Sequence, residues 1–244
     1  MSERFTDLIK LIAEYEGLFL NSIAKGKQED DVPALMLKYA LQFGKRTIES
    51  IEILMNASME TIFPCTLSRA YYELAIRLLW ASRSSHGWEQ LQTYFCNEDK
   101  KWSQEALDMP EIADHALKVF QSSKEVLERQ YDSGEPYKVA PSLEQMLKEI
   151  EEQDISEGIR QKDRRAAAYE YTNIYRIICR PAHAHIQAIS APVDSFFGPT
   201  VFAIGLATFS LLRSICYVST NDPEKEIKTI ELKIVDTLKR LIDG

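Results

Sequence analysis

Apolar side chains recur every three or four positions along most of the chain, and this spacing predicts α-helices. The first predicted helix runs from near Phe5 to about Ser22, and the second follows Pro33 to about Met55. The remaining predicted helices cover residues 65–82, 88–107, 111–131, a short segment led by Ser142, 163–179, 201–218 and 223–243. We therefore expect an all-α, multi-helix bundle of about eight or nine helices, with helix content above about two thirds, where an average globular protein has about one third.

The composition fits one helical domain that spans residues 1–244. The chain is 45% hydrophobic, which is enough to bury a substantial core. Segment 65–82 is apolar around most of its circumference, so we expect this helix to be central. The last helix, at about 223–243, is amphipathic and should lie on the surface of the domain.

The net charge of −8 disfavours broad electrostatic binding to nucleic acid, because an acidic protein repels phosphate backbones. The four cysteines, Cys65, Cys96, Cys179 and Cys216, are far apart, form no Cys-x-x-Cys pair and fall in apolar helical patterns. This pattern favours buried thiols in a reducing compartment over disulfides or structural zinc.

The chain starts with acidic and polar residues rather than with a basic and then apolar export signal. The stretch Val201 to Val218 is apolar but contains Arg213, so we interpret it as a buried core helix rather than a membrane span. We therefore expect a cytoplasmic protein with no membrane partner.

Candidate chemistry is concentrated in one segment, YEYTNIYRIICRPAHAHIQAI. It holds two of the four histidines together with two arginines: Arg176, Arg180, His183 and His185. On a continuous helix, residues seven positions apart lie within roughly 20° of each other. Arg176 and His183 would then share one face, with Cys179 and Arg180 between them.

Pro181 complicates that geometry. Its ring opposes the carbonyl of Ile177 and it has no N–H to donate, so we expect a kink or a break near Arg180. Either outcome would increase solvent access to the Arg and His side chains.

The same residues resemble a bacterial family, the domain of unknown function numbered 5677. The resemblance covers most of residues 40–215 and rests on Pro141, Ser142, Leu143, Tyr171, Tyr175, Arg176, Cys179 and His183. Cys179 stands where the family usually has Ser. The upstream segment SRAYYELAIRLLW, with Arg69 and Glu73, is similar to the family's Arg and Glu helix. The resemblance thus implies supporting roles for Arg69, Glu73, Tyr175 and Cys179.

The spacing is also similar to the Arg-x4-6-His motif of the HEPN superfamily. These helical domains include metal-independent ribonucleases of toxin and phage-defence systems. Two registers fit the motif, Arg176 with His183 and Arg180 with His185. The residue after each Arg, Ile177 or Pro181, departs from the polar residue common in nucleolytic members. The resemblance implies a HEPN-like fold, a homodimer and RNA as the candidate substrate.

An Arg and His pair is suited to RNA cleavage without metal or cofactor. A neutral imidazole takes the proton of a ribose 2′-OH, and a guanidinium stabilises charge on the attacked phosphate. The product would be a cyclic phosphate.

The alternative is a non-catalytic helical interaction or regulatory protein in which these residues are structural. Arg176 would then be a core arginine paired with Glu73, and Arg69, Glu73 and Arg77 would form an ion-pair ladder along one helix. Tyr175 would pack in the core.

Other site classes have less support in the sequence. The chain has no Gly-rich nucleotide loop, no His-Glu-x-x-His zinc motif and no paired Glu-x-x-His motifs of a di-iron bundle. Cys179 and His183 have the spacing of a nucleophile pair, but no third residue that would orient the histidine is identifiable.

Overall fold

The structure is a computed structural model that describes residues 5–24, 32–56, 62–132, 140–159, 174–182, 197–219 and 223–243. Within these ranges the chain is 91% helical, with nine helices and no strand. The prediction of an all-α protein with eight or nine helices is confirmed for this part of the chain.

The nine helices follow the predicted segments closely. In chain order they are α1 (Thr6–Ala24), α2 (Val32–Asn56), α3 (Ile62–Arg83), α4 (Gly87–Ala106), α5 (Ala113–Asp132), α6 (Leu143–Ser156), α7 (Arg176–Ala182), α8 (Phe197–Ser219) and α9 (Pro223–Asp243). Observed ends differ from predicted ones by a few residues. For example, α3 begins at Ile62, which places Pro64 in its first turn, where proline is tolerated. Residues 163–173 of the predicted helix 163–179 lie outside the described residues.

The described residues divide into two compact units, one drawn from residues 1–83 and 143–244 and the other from residues 84–142. The first unit contains the candidate site residues. The prediction of a single domain over residues 1–244 concerns the whole chain and stays a prediction.

Helices α3 and α8 form the centre of the first unit. Tyr71 on α3 is fully buried and donates a hydrogen bond from its hydroxyl to Thr208 Oγ1 on α8, at 3.2 Å. Gly44 on α2 allows the Tyr71 ring to approach closely, since a Cβ at position 44 would lie 2.7 Å from a ring carbon. The expected central position of the third helix is therefore observed.

Helix α8 is long and apolar enough to cross a membrane by length and composition, yet most of its residues are buried within the unit. Such burial is typical of a core helix, and the cytoplasmic location stays a prediction. Because of this burial, α8 offers little exposed apolar surface for a dimer interface. Phe202 is its one large exposed apolar side chain among the described residues.

The second unit is a helical hairpin of α4 and α5. The two helices pack on small buried residues, Ser103 and Ala106 from α4 and Ala116 from α5. The rings of Trp102 and His115 meet edge to face at 6.1 Å, which places the end of α4 beside the start of α5. Small residues at the seam let the two helices approach each other closely.

Candidate functional site

The four residues predicted to support the site lie together between α3 and α7. Glu73 Oε1 accepts a hydrogen bond from Arg69 Nε at 2.8 Å and another from the Tyr175 hydroxyl at 2.6 Å. The Arg69 guanidinium also lies 5.9 Å from the centre of the Tyr175 ring. Cys179 interacts with Tyr175 one turn further along the chain. We call Arg69, Glu73, Tyr175 and Cys179 the α3–α7 cluster.

The packing of two residues fixes the place of α7 on α3. A π-type turn at Ile174 and Tyr175 directly precedes α7. The Tyr175 ring packs beside Tyr72 at 5.9 Å between ring centres, with an interplanar angle of 30°. Three residues later, Ile178 is fully buried. Tyr175 and Ile178 together fix the rotation of α7 about its own axis.

The electrostatics of the α3–α7 cluster keep the phenol and the thiol neutral at physiological pH. Burial, and then the hydrogen bond to the Glu73 carboxylate, raise the pKa of Tyr175. Burial also raises the pKa of the Cys179 thiol, although its hydrogen bond with Tyr175 opposes this shift. A thiolate is the nucleophilic form of cysteine. The raised pKa therefore disfavours the pairing of Cys179 with His183 as a nucleophile.

The predicted catalytic residues are only partly described. Arg176, the first residue of α7, has an exposed side chain. Arg180 lies within α7, but its side chain is outside the description, and His183 and His185 lie outside the described residues. The choice between the two Arg and His registers therefore stays open.

Pro181 does not break the helix at Arg180. Helix α7 continues through Pro181 to Ala182, so the break expected near Arg180 is absent in this part of the chain. A proline inside a helix removes one backbone hydrogen bond, here the one that would be accepted by the Ile177 carbonyl, and that loss does not by itself end the helix.

The structural alternative is supported in one part and wrong in another. Arg69 and Glu73 do form the ion pair that their spacing of four predicts. Arg176, by contrast, is exposed rather than buried, so it is not a core arginine.

A second charged cluster, which the sequence did not predict, joins the C-terminal end of α3 to α6 and α8. Asp154 is buried between two arginines, with Arg83 on one side and Arg213 on the other. Arg213 makes two hydrogen bonds to the Asp154 carboxylate, at 2.5 and 3.1 Å. Only 2% of the Arg83 side chain and 5% of the Asp154 and Arg213 side chains are exposed. We call these three residues the α3–α6–α8 cluster.

Two residues nearer the surface complete the surroundings of this cluster. Glu157 accepts hydrogen bonds from Arg83 at 2.8 Å and from the Tyr217 hydroxyl at 3.3 Å. The Arg83 guanidinium stacks on the Tyr217 ring at 4.9 Å. A cavity of about 100 Å³ adjoins Asp154 and Arg213 and is otherwise lined mainly by apolar side chains. The one feature of the sequence that indicated the α3–α6–α8 cluster was Arg213, because a charge inside an apolar helix requires a buried partner.

Metal binding is not evident in the described part of the chain, where no three His, Cys, Asp or Glu side chains come together as ligands. His183 and His185 lie outside that part, so the prediction that the protein uses no metal or cofactor stays a prediction.

The fold of the described residues places the molecule in the class of all-α helical proteins. No protein-family model, curated protein or solved structure matches the chain. Its function has to be argued from the geometry of α3 and α7 and from the sequence motifs.

Proposed function

We propose that the chain is a HEPN-like, metal-independent endoribonuclease of the toxin or phage-defence type. Arg176 and His183 are its catalytic pair in this proposal, and Arg180 with His185 is the second register. The observation that carries the proposal is the exposed side chain of Arg176, next to the anchored Tyr175. A cytoplasmic location and a homodimer are further parts of the proposal.

The anchoring of α7 supports a role for Arg176 in binding phosphate. Tyr175 is held by Glu73, and Ile178 is fully buried, so both sides of Arg176 in the chain are fixed. A guanidinium on a fixed backbone that still faces solvent can meet a phosphate with little reorganisation. Arginine suits this task because its planar donors match phosphate oxygens.

The proposed reaction needs a base, a source of positive charge and a proton for the leaving group. The neutral imidazole of His183 removes the proton of a ribose 2′-OH, and the resulting oxygen attacks the adjacent phosphorus. Arg176 stabilises the added negative charge on the phosphate oxygens. The bond to the 5′-oxygen breaks and that oxygen takes a proton from water, while the imidazolium of His183 returns its proton to solvent. The products are a 2′,3′-cyclic phosphate and a 5′-hydroxyl end.

The α3–α7 cluster acts in this mechanism by positioning. Glu73 accepts hydrogen bonds from both Arg69 and Tyr175, so these side chains hold α7 on α3 rather than contact RNA. The same observation favours the second candidate function, a non-catalytic interaction or regulatory protein. In that case the cluster would stabilise the helices and Arg176 would have no catalytic task.

The test is RNA cleavage by the purified full chain in the presence of EDTA. We expect cleavage that leaves cyclic phosphate ends, and we expect no cleavage of a strand with 2′-deoxyribose throughout. His183→Ala should abolish cleavage, while His86→Ala, at an exposed histidine in the second unit, should cleave at the wild-type rate. Inactivity of the wild-type protein on all RNA would favour the interaction protein, and an unchanged rate for His183→Ala would refute His183 as the catalytic base.

A further inference from the structure

Helix α2 carries an exposed apolar stripe with basic neighbours. Leu35, Tyr39 and Phe43 are spaced four residues apart, so they lie along one side of the helix. Their exposed fractions are 44%, 62% and 39%. Between Val32 and Ile48 the helix has three basic residues, among them the exposed Lys38 and Arg46, and no carboxylate. We call this surface the α2 face.

The α4–α5 hairpin ends in a second exposed apolar group. Trp102, Leu107, Met109 and Ile112 are 43%, 39%, 51% and 36% exposed. Trp102 lies four residues before the end of α4, about 6 Å along its axis, and the other three lie in the connection to α5. Backbone hydrogen bonds from Met109 to Ala106 and from Ile112 to Met109 order that connection. We call residues 102–114 the hairpin tip.

The charge of the hairpin tip is opposite to that of the α2 face. Its charged residues are all acidic and all exposed: Glu105, Asp108, Glu111 and Asp114. There is no lysine or arginine between Lys101 and Lys118. Among the described residues, none of these four carboxylates forms an ion pair, and neither do Lys38 and Arg46.

Helix α9 shows that exposed apolar side chains are not always accompanied by charges of a single sign. It also exposes large apolar side chains, with Leu232 72% and Val235 44% exposed. Its charged residues are balanced, however, with five basic and five acidic residues between Pro223 and Asp243. The charges on α9 are therefore mixed, whereas they are all acidic at residues 102–114 and all basic between Val32 and Ile48 of α2; the C-terminal part of α2 adds Glu49 and Glu52.

We propose that the hairpin tip of one copy of the chain docks on the α2 face of a second copy. Apolar side chains would be buried on both sides, and four carboxylates would meet three basic groups. Neither surface can pair with its own equivalent, because like charges would then face each other. The contact therefore joins two unlike surfaces: docked reciprocally between two copies it closes into a two-fold dimer, and docked head to tail it forms a ring or an open chain.

The contact is independent of the proposed ribonuclease activity, because neither surface includes a residue of α7. Electrostatic pairing at an exposed interface is screened by salt, so the association should weaken as ionic strength rises.

The experiment measures the mass of the full chain by light scattering at micromolar concentration. We expect a mass above that of one chain, 28.0 kDa. Glu105→Lys with Asp108→Lys should weaken the association by about tenfold or more, and so should Lys38→Glu with Arg46→Glu. The control is Glu224→Lys with Glu231→Lys on α9, which changes the charge equally and should associate like the wild type.

Mixing the two charge-reversed proteins gives the decisive result. In the mixture, the unaltered acidic tip of the α2 variant meets the unaltered basic α2 face of the tip variant, so the mixture should associate more strongly than either variant alone. Tyr39→Ser, at a side chain 62% exposed, tests the apolar half of the contact and should also weaken association. A monomeric wild type, or a mixture that stays monomeric although both variants keep a wild-type helical spectrum, would overturn the proposal.

Discussion

Helix α3 carries one charged cluster at its middle and another at its C-terminal end, and the two differ mainly in burial. Glu73 and Arg83 are ten residues apart, about 15 Å along the helix. In the α3–α7 cluster, 27% of the Arg69 side chain and 25% of the Glu73 side chain remain exposed. In the α3–α6–α8 cluster, Arg83 is only 2% and Asp154 only 5% exposed.

The difference in burial indicates a difference in role. Removal of a buried carboxylate that lies between two arginines would leave buried guanidinium charge without its partner, so the α3–α6–α8 cluster tolerates little change in sequence. The half-buried α3–α7 cluster gains less from each contact, because water screens it. We infer that the α3–α6–α8 cluster maintains the packing of those three helices, whereas the α3–α7 cluster sets the position of α7 and its exposed Arg176.

The largest expected effect is at Asp154. Asp154→Asn keeps the shape of the side chain but leaves Arg83 and Arg213 without a buried counter-charge, which should lower the free energy of unfolding by about 3 kcal/mol. For a chain of this length, that corresponds to a fall in melting temperature of roughly 6 to 12 °C. Thermal unfolding followed by circular dichroism measures it.

Two further proteins sharpen this prediction. Asp236→Asn removes a carboxylate that pairs with Arg240 on the surface, and it should change stability by less than about 0.5 kcal/mol. Replacing the whole cluster, Arg83→Met with Asp154→Leu and Arg213→Met, should restore stability towards that of the wild type, because no charge is then left buried. Equal effects of Asp154→Asn and Asp236→Asn would contradict the structural role of the buried cluster.

A smaller effect is expected at Glu73. Glu73→Gln replaces the charged acceptor of two hydrogen bonds, and we expect a loss of about 1 to 2 kcal/mol, less than at Asp154 because the site is partly solvated. Glu49→Gln, at an exposed position on α2, is the matched control. If Glu73→Gln destabilised the protein more than Asp154→Asn did, the ranking of the two clusters would be wrong.

The smallest effect is expected at Tyr175, and it should depend on pH. Tyr175→Phe removes one hydrogen bond to Glu73 and should cost about 1 kcal/mol at neutral pH. The folded state raises the pKa of Tyr175 above its ordinary value of 10.0. The stabilisation by the protonated phenol is therefore complete below about pH 10 and is lost as the pH rises further.

Comparison of the wild type with Tyr175→Phe isolates the contribution of Tyr175 to the pH dependence, because the other buried tyrosines ionise in both proteins. The stability difference between wild type and Tyr175→Phe should narrow above about pH 10 in urea unfolding curves. A difference that widened with rising pH would contradict the sign of the pKa shift.

Most of the helical architecture was predictable because its signals are local. The spacing of apolar residues gave the positions of α1 to α6, and the apolar circumference of segment 65–82 gave the central place of α3. The ion pair between Arg69 and Glu73 follows from the same local geometry, since residues four apart are neighbours on a helix.

The rest could not be predicted because the contacts join distant parts of the chain. Tyr175 and Glu73 are separated by 102 residues, and Asp154 lies 71 residues from Arg83 and 59 from Arg213. Helical periodicity places each residue on a face but does not say which helix that face meets. The break that was one of the two outcomes expected at Pro181 is not observed between Arg176 and Ala182, because the loss of one backbone hydrogen bond does not by itself end a helix.

The most direct test of the account compares Arg176→Ala with the wild type in RNA cleavage and thermal unfolding. Arg129→Ala, at an exposed arginine of α5, serves as the matched control. We predict that Arg176→Ala loses cleavage by at least about a hundredfold while its melting temperature stays within a few degrees of the wild type. Arg129→Ala should change neither quantity. An Arg176→Ala protein that cleaves RNA at the wild-type rate, or that loses activity only because it unfolds, would contradict the account.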